Sequence, residues 1–276
     1  MTALQPAIPR GVVSRVRWGV SDTWAITRRD LIQWVAEPWR IVAEILFPVM
    51  FVLLFGYVFG SGMVVPGGGD YREFLMPGLF VMTMAFGIGN TMTVVATDVE
   101  RGVMDRFRSM PMSSFAVVAG RSTADMLNSA AGLAITIACG LVVGWSWHDG
   151  LLGAAAAVAL LLLLRFACLW IGIWLGLMVG SPEAAGAVWG LLFPLTMITS
   201  AFVAPELMPG WLGTVAEWNA LSSTVTACRE LFGNVGGEGG GSWIASHAVL
   251  MAVVWPVVLV AVFFPLSVRR FQRLSR

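Results

Sequence analysis

From residue 41 onward, long apolar runs alternate with short polar stretches. The runs fall at about 41–59, 75–96, 124–147, 151–179, 186–203 and 244–266. Each can cross a hydrocarbon core of about 30 Å as a helix, and the fourth is long enough to tilt or project beyond it. The pattern predicts an all-α integral membrane protein with six transmembrane helices in a domain at 41–268. A segment at 1–40 precedes it, and a basic tail at 269–276 follows. Six crossings put both chain ends on one side.

The polar interruption between the second and third runs, TDVERGVMDRFRSMPMSSFAVVAGR at 97–121, predicts a short helix over about 97–110. Thr97 and Glu100 have capping-box spacing. Val99, Val103, Phe107 and Met110 recur at helical intervals and form an apolar stripe. Asp98, Arg101, Asp105 and Arg108 lie on the other face, spaced so that opposite charges can pair. Pro111 cannot continue the helix, and Ser113 or Ser114 can cap the next one. A solvated helix in a loop is the plainer reading of this stretch.

Two further stretches have their own pattern. Between Ser21 or Asp22 and Glu37, Trp24, Leu31, Trp34 and Val35 fall roughly on one face. This predicts a helix lying in the membrane plane with its tryptophans at headgroup level, or a soluble helix packed on a partner. Within 204–243, Pro209 can open a helix in which Trp211, Val215 and Trp218 share a face, and Ser222 to Phe232 predicts a second. Over about 205–232 these would dip into the outer leaflet or cap its mouth. Gly233 to Gly241 reads as a linker.

Composition agrees with the pattern. The hydrophobic fraction is 58% and the charged fraction 12%, about half the usual charged share of a soluble domain. Mean hydropathy is +0.81. All 17 basic residues are arginine, which excludes a P-loop or a Schiff-base lysine in this chain. Fourteen arginines lie in the N-terminal segment, at 97–123 and in the tail; the opposite side holds Arg72 and Arg229. By the positive-inside rule the termini and the 97–110 helix are cytoplasmic. The first 20 residues lack a signal-peptide pattern. Cys139, Cys168 and Cys228 are scattered, with neither disulfide nor zinc spacing.

Few polar groups fall within the spans. Arg165 lies roughly mid-depth in the fourth, where an arginine needs a partner or water, so it should face the protein interior. Asp125 opens the third span near the cytoplasmic interface. Asn90, Thr91 and Thr93 can bond between helices, and Gly87, Gly89, Gly186 and Gly190 allow close approach. No HExxH or other catalytic constellation is present. A lone mid-depth ionisable residue and the lack of an internal repeat count against a secondary transporter.

The 97–121 stretch resembles the cytoplasmic segment of ABC type-2 exporter permeases of the daunorubicin-resistance kind, in which E-R-G, an arginine and a proline precede the third span. TRRDLIQWVAEPWRIVAEILFPVMFVLLFGYVFG at 27–60 and SPEAAGAVWGLLFPLTMITSAFVAPELMPGWL at 181–212 resemble the same family, so the likeness runs over about 21–270. It implies the type V ABC exporter fold: an N-terminal interfacial amphipathic helix, a cytoplasmic coupling helix and extracellular re-entrant helices. It also implies a non-catalytic permease that pairs with a second one, as homo- or heterodimer, and binds two copies of an ATPase subunit holding ATP and Mg. Nothing in it implies a cofactor or metal in this chain, or a nucleic-acid partner.

By position, Glu100, Arg101, Gly102, Arg106 and Pro111 match the coupling motif, with Val99, Val103, Asp105 and Phe107 beside them. Spans one, two and five would flank the route, and Met82, Phe86, Asn90, Arg165, Phe193, Met197 and Phe202 are the candidate path residues. The implied function is export of a hydrophobic or amphipathic drug, antibiotic or lipid across a bacterial plasma membrane. Export of a polysaccharide or lipid-linked glycan is the alternative, and a nucleotide-independent channel or scaffold a remoter one. The chain departs from the family at Asn219-Ala220, where Asn-Pro is common, and at Arg165, where apolar or small residues are usual.

Overall fold

The computed structural model describes residues 21, 23–29, 31–32, 36, 38–55, 68, 70–102, 114–236 and 242–274, the side chains at 38, 40–41, 43–45, 47–48, 114–118 and 274 excepted. The expected coupling residues Val103, Asp105, Arg106, Phe107 and Pro111, together with Met110, lie outside them, as does 237–241. The described residues are helical, without strands. In chain order the helices are α1 (Pro38–Leu53), α2 (Tyr71–Glu100), α3 (Ser114–Val143), α4 (Gly150–Val179) and α5 (Pro182–Met197). A 3₁₀ turn (Pro205–Leu207), α6 (Gly210–Glu217), α7 (Ala220–Phe232), the single turn α8 (Trp243–Ser246) and α9 (Ala248–Leu274) follow.

Among the described residues four helices are long and apolar enough to cross a membrane: α2, α3 from Ala119, α4 and α9. The expected first and fifth spans correspond to α1 and α5, each of 16 residues. Pro194 lies in the last turn of α5, which ends at Ile198. The third and sixth runs are also shifted. The helix expected at 124–147 stops at Val143, where Gly144 (φ +100°) turns the chain, and that expected from 244 begins in full at Ala248.

Local chemistry accounts for the ends. Asp70 accepts from the Arg72 amide at 2.9 Å and starts α2. Ser181 accepts from the Ala184 amide ahead of Pro182, a residue suited to a first helical turn. Asn219 accepts from the Leu221 amide and donates to the Ile198 carbonyl, both at 2.9 Å. The turn into α7 is thus made without the proline usual in the family.

The bundle is built around α2, which packs most extensively on α4. Gly172 and Gly176 of α4, four residues apart, lie against the Ile88 and Met92 carbonyls. Side chains there would come within 2.9 and 2.7 Å of those oxygens. Small residues at that spacing let two helices approach closely in lipid, where apolar area alone gives little drive to associate. Gly89 plays the same part for the Trp189 ring, and Gly87 for Arg165. Gly186 and Gly190 face open space. Phe80, Val81, Met82, Leu161 and Leu164 are fully buried, whereas α3 and α9 turn most of their apolar residues outward, Val142, Val257 and Leu250 among them.

At the end of the bundle where α2 begins, α7 is inserted into the bundle rather than laid upon it. Arg229 is buried and donates from Nε to Phe74 O at 2.9 Å, and from Nη2 to Ser200 O and Ala201 O at 2.9 and 3.3 Å. Its guanidinium carbon lies 3.5 Å from the centre of the Phe74 ring. Burial lowers its pKa to about 9, still above neutrality, so it remains a cation. The face formed by Trp211, Val215 and Trp218 is exposed.

Candidate functional site

Three features occupy the regions that the sequence singles out. The first is the C-terminal end of α2. The expected helix start at Thr97 is corrected: residues 97–100 complete α2, and Thr97 Oγ1 donates to Thr93 O at 2.8 Å within that helix. TDVE has capping residues, but nothing in it breaks a helix already under way. The break comes at Gly102, whose φ of +60° is a conformation that glycine adopts without strain. Glu100 and Arg101 are exposed and Val99 is half-buried. Asp98 pairs with Arg121 at the start of α3, not with Arg101. This ion pair ties together the two helices on either side of 101–113.

The N-terminal helical segment meets α3 at the same level. Ile26 and Thr27 are buried there, Thr27 Oγ1 lies within bonding reach of Gly120 O (2.9 Å) and Thr23 O (2.8 Å), and a side chain at Gly120 would strike Thr23 O at 2.7 Å. Trp24, Arg28 and Arg29 remain exposed.

The second feature is a chain of rings between α1, α2, α5 and the segment after it. Phe86 stacks on Phe193 with centroids 5.5 Å apart and meets Trp189 at 6.1 Å edge-on. Phe51 touches Phe86 and Phe202, both at 6.4 Å, and Phe55 meets Phe202 at 4.6 Å. Three expected path residues, Phe86, Phe193 and Phe202, are therefore joined in one aromatic seam, and Phe51, Phe55 and Trp189, not named from sequence, complete it. Their membership depends on how the helices are rotated, which a run of apolar letters does not encode. Met197 is half-buried against the same core, and Asn90 is exposed on α2 one turn from Phe86. Met82 is 1% exposed and packed in the core around α2.

The third is polar. Arg165 of α4, 1% exposed, lies among α2, α3 and α4, away from the seam. Its Nε donates to Ser129 Oγ at 2.7 Å, and its Nη2 to Thr91 Oγ1 at 2.9 Å and to the Asp125 carboxylate. Asp125 is thus the partner of the buried cation, and its position one-third of the way along α3 has a reason that proximity to the interface does not supply. Among the described residues, Nη1 of Arg165, beside Gly87, and Oδ1 of Asn128 have no hydrogen-bond partner. No cluster of metal-ligating side chains occurs among the described residues.

The described residues bring together a turn at the end of α2, an apolar aromatic seam and a charged tie between three helices. A family model described as "ABC-2 type transporter" matches residues 21–232. The daunorubicin resistance ABC transporter permease protein DrrB1 of Streptomyces coeruleorubidus is 32% identical over 92% of this chain and 87% of its own length. A putative transport permease, ycf38, of Cyanophora paradoxa is 22% identical over 83% of this chain and 78% of its own.

Proposed function

The chain belongs to the ABC-2 type transporter family, and from that premise we propose that it is the permease subunit of an ATP-driven exporter of hydrophobic or amphipathic compounds. The observation that carries the reading is the match to a drug-resistance permease over nearly the whole of both chains. In this reading the chain crosses a bacterial plasma membrane six times in the type V arrangement, with both termini cytoplasmic. It pairs with a second permease, of the same or another kind, and each permease binds one ATPase subunit carrying ATP and Mg. Hydrolysis belongs to that partner.

ATP-driven closure of the ATPases would press on the 97–113 segment, with Glu100, Arg101 and the residues through Pro111 against a groove of the partner. The Asp98–Arg121 tie and the contact of Thr27 with Gly120 support this. They join the ends of that segment to α2, α3 and the N-terminal helix, so displacement there reaches all three. The cargo would pass along the seam of Phe86, Phe193 and Phe202 at a permease–permease interface. Rings without hydroxyls suit an apolar cargo better than a glycan, which is the second reading.

The test is co-expression with the ATPase subunit, measuring co-purification and ATPase rate for wild type, Glu100→Ala and Phe107→Ala. A stable complex that weakens or uncouples in the variants is expected. Failure of any ATPase to associate, or variants equal to wild type in both assays, would sink the proposal.

A further inference from the structure

We propose that Arg165 and Asp125 form an intramembrane latch, positioning α3 against α2 and α4 so that movement at the cytoplasmic end is carried across the bilayer, with Asn128 as its second seat. The proposal rests on the coupling to an ATPase proposed above. It gives Arg165 a positioning role in place of contact with cargo.

The first ground is how weakly α3 is held otherwise. Among its described side chains the buried apolar ones are Ala124 and Leu133, while Leu127, Leu141 and Val142 are exposed. In lipid, apolar faces of helices gain little by meeting each other, and polar contacts and close packing do the holding. One guanidinium links α3 to both neighbours inside the bundle, reaching Ser129 and Asp125 of α3 and Thr91 of α2 from its base on α4, while the other polar contacts of α3 include ones nearer its ends, at Gly120, Arg121 and Val143. Space for it is kept by Gly87, where a side chain would lie 2.5 Å from the guanidinium carbon. The second ground is place in the chain, because α3 is the helix that leaves 101–113 and its first turns are tied to α2 through Arg121 and Asp98. A push on that segment reaches α3 first.

The third ground is two of the six unpartnered buried side-chain atoms among the described residues. Nη1 of Arg165 is a buried donor without an acceptor, and Oδ1 of Asn128 on α3 is a buried acceptor without a donor. A buried polar group left alone is unfavourable, so an arrangement that pairs these two gains stability. Asn128 follows Asp125 by three residues. A shift of α3 by that spacing, about 4.5 Å along its axis, would bring Asn128 to the level that Asp125 now occupies. Sliding by one turn between two packed states is a known mode of transition.

The experiment uses the permease with its ATPase in right-side-out vesicles of phosphatidylethanolamine and phosphatidylglycerol. Cys139, Cys168 and Cys228 are replaced by alanine, and Trp147→Cys beyond the outer end of α3 serves as reporter. Labelling from outside by a membrane-impermeant maleimide is compared for vesicles loaded internally with and without Mg-ATP and vanadate. With the latch intact, trapping should change the labelling rate several-fold. Asp125→Leu with Arg165→Leu removes the tie without stranding a charge. ATPase binding and hydrolysis should persist, but the outer reporter should stop responding. The exchanged pair, Asp125→Arg with Arg165→Asp, should restore part of the response, and Asn128→Leu should reduce it while leaving the resting rate unchanged. A response equal to wild type in the double-leucine variant, with ATPase bound, overturns the latch alone. If the double-leucine protein fails to assemble, Asp125→Asn with Arg165→Gln is read by the same criterion. A wild-type chain that binds no ATPase overturns the proposed function and the latch with it.

Discussion

Among the described residues two arginines are buried, and they are held in opposite ways. Arg229, at the end of the bundle where α2 begins, is bonded to the carbonyls of Phe74, Ser200 and Ala201 and covered by the Phe74 ring. Arg165, inside the bundle, is bonded to the side chains of Asp125, Ser129 and Thr91. Backbone carbonyls are fixed by the fold, so Arg229 can only keep or lose its place. Side chains on separate helices can exchange partners as those helices move. Arg229 is a staple, and Arg165 has the makings of a switch. Charge balance sharpens the difference: Arg165 has a carboxylate partner, while Arg229 relies on carbonyl dipoles and a ring face.

The comparison can be broken from either end. The largest loss of stability is expected from Asp125→Leu, which strands a guanidinium that is 99% buried by the measure of its 1% exposure. Removing one member of a buried pair is typically destabilising by roughly 3–5 kcal/mol, and thermal melting of the detergent-solubilised protein would register it. The double-leucine protein should recover most of that loss, and no recovery would mean that the ion pair is not what holds Asp125 and Arg165 together. Next comes Arg229→Ala. It leaves three carbonyls without their donor, at about 1–3 kcal/mol for an unsatisfied buried group, partly offset where water reaches them. The expected result is a clear fall in melting temperature with little recovery from Arg229→Lys, since an ammonium lacks the planar fork. Full recovery by lysine would show that only the charge matters. The smallest effect is expected from Trp211→Ala on the exposed face of α6, within roughly 0.5 kcal/mol. A large drop there would mean that this face is covered within the folded chain.

Much of the architecture follows from the linear pattern. Four long helices are legible because a run of about 20 apolar residues has few alternatives in lipid, and the arginine asymmetry suggests which ends face the cytoplasm. The periodicity of Trp211, Val215 and Trp218 puts them on one face, and the structure shows that face exposed. Capping residues misled at 97–100: Thr97 and Glu100 have the right types and spacing to start a helix, yet the preceding helix runs through them to Gly102. Propensity gives the option of a cap, and continuity of the backbone hydrogen bonds overrides it.

What the sequence determined by itself is the class of the protein: a charge-poor, lysine-free, helical membrane chain with one long polar segment between apolar runs and no P-loop lysine. What only the tertiary structure decided is which distant residues meet. Asp125 and Arg165 are 40 positions apart, and Arg229 and Phe74 are 155 apart. Burial told that each arginine needs a partner. The rotation of each helix about its axis, set by glycines such as Gly87, Gly172 and Gly176 that admit a neighbour's backbone or side chain, decided which partner it has.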